Sequence, residues 1–129
     1  MNSFLFFVFG ILFIGIVMLL WIAKPRKLKK EDCEFFSEKI KGTALLDPAH
    51  AILESHKIFV NALRTLFKQK KLSAALTIER FAKKFPNEKT IWRLHGLRNR
   101  IAHETDVKVD YHEAEHGREE FIRALKSLV

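Results

Sequence analysis

Residues Phe4 to Ala23 form a run of 20 positions without one charged side chain. They are Phe, Leu, Ile, Val, Met, Trp, Ala and two Gly. At ~1.5 Å per residue a helix of this length reaches roughly 30 Å, the thickness of a bilayer's hydrocarbon core. Trp21 falls near one end, where an indole suits the headgroup region. A cleaved signal peptide is the rival interpretation. It fits less well, because no Lys or Arg precedes the run, the run is long for a signal's apolar core, and no small-x-small site precedes Lys24. The expectation is an uncleaved transmembrane anchor over residues 1–23.

The flank sets an expected orientation. Lys24, Arg26, Lys27, Lys29 and Lys30 follow the span closely, whereas all 15 acidic residues lie beyond Lys30. Basic flanks are retained in the cytoplasm. The chain is therefore expected N-out, with its C-terminal part cytoplasmic and the basic run against anionic headgroups. That attraction explains the run without nucleic acid. Beyond it the net charge is small, so the total of +8 is mostly a property of the flank. Cys33 is the single cysteine, which excludes an internal disulfide and fits a reducing compartment.

The rest is amphipathic and helical. Residues 24–46 read as a basic juxtamembrane linker with a short helix over Glu31–Lys41, contacting through Phe35, Phe36 and Ile40 and stopping at Gly42. Residues 47–129 read as the folded domain. Asp47-Pro48 is a helix start, an N-cap followed by proline at the first helical position. This helix is expected to run to about Lys70, with Glu54, Lys57, Asn61, Arg64 and Lys68 as its polar face. His56 falls among its apolar positions and reads as a satisfied, half-buried histidine. Lys68–Lys71 is a basic turn. Ser73 caps a helix to about Phe85, ended by Pro86. Asn87 caps the next, Glu88 to about His103. Asp110 to Glu113 is a capping box for the last. No strand pattern of useful length occurs. The expected fold class is all-α: one N-terminal transmembrane helix, then a compact antiparallel bundle of four main helices.

One position resists this pattern. On a wheel of ~100° per residue, Ile91, Leu94, Leu97, Ile101 and Ala102 share an arc, and Arg98 falls inside it. Arg93 and Arg100 lie on the open face; Asn99 and His103 lie on the flank. An unpaired guanidinium is costly to bury, so Arg98 requires a carboxylate such as Glu54, a phosphate ligand, or a cleft between subunits.

Arg98-Asn99-Arg100-Ile101-Ala102-His103 resembles the signature of the HEPN superfamily (higher eukaryotes and prokaryotes nucleotide-binding): an Arg, often a polar residue after it, and a His four to six residues on. The likeness covers about Asp47 to Leu128. It implies a helical domain that, in active members, cleaves RNA without a metal in a cleft shared by two copies. By that resemblance Arg98 would neutralise the scissile phosphate, His103 would transfer protons, and Asn99 would orient both. Arg93, Arg100, Lys83 and Lys84 would add contacts to RNA, and Glu54 and Lys57 join the candidate binding residues. Other members are non-catalytic binding or dimerisation modules, and the motif does not separate the two. The expected partners are membrane lipid, RNA or a nucleotide, a second copy of the chain, and a protein partner such as an antitoxin.

His112-Glu113-Ala114-Glu115-His116 also matches the zinc-protease pattern His-Glu-x-x-His. Its helix, however, places Ala114, Phe121, Leu125 and Leu128 on one side and both histidines on the other. Glu115 sets a charge between the would-be ligands. The metalloprotease is a remote alternative; no metal and no cofactor is expected.

Overall fold

A computed structural model describes residues 2–22, 26–67 and 72–129. The described residues form six helices and no strand. The expected positions Ala23, Lys24 and Lys68 to Lys71 lie outside the described residues.

Helix α1, Asn2–Ile22, is long and apolar enough to cross a membrane, and none of its apolar window is buried against the rest of the chain. It is apolar on every side, with Phe4 and Trp21 on its surface. A helix hydrophobic all round suits a lipid surround, not the boundary of a water-soluble core.

Helix α2, Lys30–Gly42, falls in the stretch read from sequence as linker, yet it packs on α3 and α6. Cys33, Ser37 and Ile40 recur at helical spacing and are buried there. Phe36 packs at the edge of the core; Phe35 is exposed and meets Phe36 edge-on at 5.2 Å. Just ahead of α2, Leu28 is buried and its backbone N–H donates to the Leu128 carbonyl at 2.8 Å. The bundle therefore starts at Leu28 and has five helices. Gly42 does not stop α2 by a left-handed turn, since its φ is −60°. The helix tightens into a 3-10 turn at Thr43–Leu45, where the Thr43 hydroxyl caps the Ile40 carbonyl at 2.7 Å. That hydroxyl also meets Ser55 of α3 at 2.8 Å, so two buried polar groups satisfy each other.

Helix α3, Pro48–Arg64, starts as expected, with the Asp47 carboxylate accepting from the His50 N–H at 3.1 Å. It ends at Arg64, sooner than its apolar pattern suggests. Thr65 turns its hydroxyl onto the Ala62 carbonyl at 2.7 Å and the last turn tightens. Helix α4, Ala74–Phe81, is capped by Ser73 and followed by a 3-10 turn, Ala82–Lys84. Ile78, Phe81, Ala82 and Phe85 point inward, whereas Ala75 is exposed. Helix α5 is Glu88–His103 and helix α6 is Tyr111–Lys126.

Two expected caps work differently. Asn87 leaves the α5 N-terminus uncapped by its side chain and donates instead to the carbonyl and carboxylate of Glu120 on α6. Asp110 does cap α6, accepting from the Glu113 N–H at 2.8 Å, but the Glu113 carboxylate turns to Arg93 at 3.3 Å. Only the Asp110 half of the capping box forms.

The core is a cluster around Phe59 and Phe121, whose rings lie 4.9 Å apart, with Ile52, Leu63, Ile78, Ile91, Leu94 and Leu125 fully buried around them. Helix α3 is the hub: α2, α4, α5 and α6 all pack on it. The α3–α6 approach is set by Gly117. A Cβ placed there would lie 2.7 Å from Ile52 Cδ1 and 3.3 Å from Leu94 Cδ2, both fully buried. Gly117→Val is therefore expected to destabilise the bundle by about 1–3 kcal/mol through overpacking. Urea unfolding followed by circular dichroism checks this; an unchanged midpoint would show that the two helices have room to separate.

Candidate functional site

Helix α5 positions the site. Ile91, Leu94 and Leu97 anchor it in the core, and the next position on that face is Arg98. A full guanidinium cannot follow them inward. Arg98 is half-buried and lines a pocket of about 310 Å³ between α3 and α5. Glu54, His56, Lys57 and Arg64 of α3 line the same pocket. Ile101 is half-buried and Ala102 exposed, so the apolar arc frays before the helix ends.

Glu54, offered by the sequence as the partner of Arg98, does not pair with it. Its carboxylate lies 3.9 Å from Lys57 Nζ and 3.9 Å from His50 Nε2. Among the described residues Arg98 makes no ion pair; its Nη1 donates to Asn99 Oδ1 at 3.1 Å. A guanidinium can only donate, so this contact fixes the Asn99 amide with its oxygen toward Arg98. The Asn99 Nδ2 then donates to His95 Nε2, 3.3 Å away. His95 must carry its proton on Nδ1, which lies 2.9 Å from His56 Nε2 and donates to it. His56 in turn carries its proton on Nδ1. One directed chain thus runs Arg98, Asn99, His95, His56, from the pocket through the α3–α5 contact and back to a residue lining the pocket.

The two imidazoles are held neutral. Burial, then His95, Arg98 and Arg64, pushes the His56 pKa down to about 3; burial and then Arg98 lower that of His95. His56 is 2 % exposed, packed edge-on against Phe121 at 6.0 Å between ring centres. It is more deeply buried than its sequence context implies, and it is satisfied by an imidazole of another helix.

The predicted residues separate into groups. Arg98, Glu54 and Lys57 share the pocket, and Asn99 joins them through its bond to Arg98. His103 ends α5 as an exposed residue and does not line that pocket. Arg93 pairs with Glu113, and Arg100 with Glu104 at 3.6 Å, so neither is a bare cation. Sequence reasoning passed over Arg64 and His95. The signal for His95 was its i, i+4 spacing from Asn99; nothing along the chain linked it to His56. On α6, His112 is exposed and His116 partly so, and among the described residues no three His, Cys, Asp or Glu side chains converge. No family model, no curated protein and no solved structure matches the chain.

The chemistry on offer is donation. Arg98, Arg64 and Lys57 bring donors to the lining, His56 joins them, and Glu54 is the one carboxylate among them. The neutral imidazoles also leave a trace in stability. The unfolded chain titrates His56 near its ordinary 6.5, the folded chain near 3. Between those values the unfolded state binds more protons, so stability present above pH 6.5 is lost on acidification. The unfolding free energy is expected to fall by about 1.4 kcal/mol per pH unit more steeply below pH 6.5 in the native protein than in His56→Gln. Urea titrations at several pH values measure it; parallel pH profiles would refute the neutral, buried imidazole.

Proposed function

We propose that the chain is a membrane-anchored protein whose helical bundle is a HEPN-like domain acting on RNA as a metal-independent endoribonuclease. In this proposal α1 spans the bilayer N-out, and Arg26, Lys27, Lys29 and Lys30, all exposed, lie at the cytoplasmic headgroups. The observation that carries the proposal is the state of Arg98. It is a half-buried guanidinium without a carboxylate partner among the described residues, braced by the adjacent Asn99 and open to a pocket. A phosphodiester is a fitting counter-ion, because a guanidinium matches its oxygens two at a time. Cleavage further requires charge neutralisation in the transition state and a side chain placed to transfer a proton. Arg98 supplies the first and His103 the second.

In one copy these two groups are not in one pocket. The proposal therefore includes a second copy, packed so that the α5 ends of both face one cleft. A second function, RNA or nucleotide binding without cleavage, is favoured by the same separation: the imidazoles linked to Arg98 are the neutral His95 and His56, not His103.

Full-length protein in neutral-lipid nanodiscs, given labelled RNA in EDTA, is expected to cut it. Arg98→Ala and His103→Ala should each lose about 100-fold or more. Uncut RNA that still binds, with binding weakened by Arg98→Ala, would leave the binding function standing. Cleavage unaffected by either substitution, or a strict monomer by sedimentation during cleavage, would overturn the enzyme.

A further inference from the structure

The geometry points to a binding site for a small phosphate-type oxyanion inside each copy, in the pocket between α3 and α5, held by Arg64 and Arg98 together with the Nδ1–H of His56. The site requires neither RNA cleavage nor a second copy, and it does not include His103.

Charge is the first argument. Arg64 and Arg98 both line the pocket, and neither forms an ion pair among the described residues. The missing counter-charge cannot come from elsewhere in the chain. The positions outside the described set, Met1, Ala23 to Pro25 and Lys68 to Lys71, contain no Asp or Glu. Glu54 is the one carboxylate of the lining, and it is shared with Lys57 and His50. Two guanidiniums partly withdrawn from water without an anion are costly, and a bound oxyanion offsets that cost.

Direction is the second argument. A chain of hydrogen bonds between two histidines could point either way. Here the donor-only Arg98 sets it, through Asn99 and His95, so that His56 ends as a donor. His56 is itself one of the residues that line the pocket. The opposite tautomer would offer a lone pair to an incoming anion and repel it.

Arg64 is held for the task. Its Nη2 donates to the Leu72 carbonyl at 2.9 Å, fixing the side chain across the end of α3, while its buried Nε finds no acceptor. A volume of about 310 Å³ admits a phosphate and a small group attached to it. A soluble phosphate monoester and a lipid phosphate headgroup share this chemistry.

The test uses the full-length chain in phosphatidylcholine nanodiscs at constant ionic strength. Titration with inorganic phosphate is expected to release heat, raise the unfolding temperature and shift the His56 Nδ1 resonance. Arg64→Gln and Arg98→Gln should each weaken phosphate binding at least 10-fold while circular dichroism stays native. If a variant fails to fold, the histidine nitrogen spectrum of the native protein decides: a His56 protonated on Nε2, or one unmoved by phosphate, overturns the site. A parallel series with phosphatidic acid in the nanodiscs separates the sources. Protection by the lipid alone, lost in Arg64→Gln, assigns the pocket to a headgroup. No response to either phosphate, or binding by both variants as tight as that of the native chain, overturns the inference.

Discussion

Burial of one helix on several sides at once is the constraint from which the bundle follows. Helix α3 meets α2, α4, α5 and α6, so it has little surface left for water. Its apolar residues Ile52, Phe59 and Leu63 are wholly buried, and so are Ser55 and His56, which bring polar atoms with them. Each of these side chains finds a partner on a neighbouring element. Ser55 finds Thr43 after α2, and His56 finds His95 on α5. The register of α3 against its neighbours is thus fixed twice, by shape at Gly117 and by hydrogen bonding at these two polar contacts.

The site is a by-product of that same packing. Arg98 sits where the α5 apolar stripe meets the rim of α3, too deep for free solvation and too shallow for full burial. Its donor-only chemistry propagates through Asn99 into the imidazole pair. Burial keeps the pair neutral, and neutrality lets each ring both accept and donate. A protonated ring in the chain would set two donors against each other. The polarity of the contact therefore depends on low proton affinity in the interior, itself a consequence of the aromatic and aliphatic core around Phe121.

Much of the helical layout was legible along the chain, because caps and periodicity are local. Asp47, Ser73 and Asp110 all cap as their neighbours imply. Asn87 and Glu113 did not follow local rules, since each found a better partner on another helix, Glu120 and Arg93 respectively. The short helix before Asp47 is legible along the chain, but its burial against α3 and α6 is not, for a related reason. Cys33 and Ser37 are small and only mildly apolar, so their burial shows only when α3 and α6 arrive to cover them. At the site, the anomaly of Arg98 was visible on a wheel. Its companions were not, because His56 and His95 are 39 positions apart and their contact exists only in three dimensions.

The bond between Leu28 and Leu128 ties the first residue of the bundle to nearly its last. Viewed mechanically, the domain is a closed loop clasped where its first and last residues meet. Tension applied through the residues ahead of Leu28 would load this clasp and the seams of α2 with α6 and α3 before it reached α4 or α5. The pocket lined by Arg98 and Arg64 lies on the α5 side of α3, so a pull on the N-terminal side reaches it through α3 and α6.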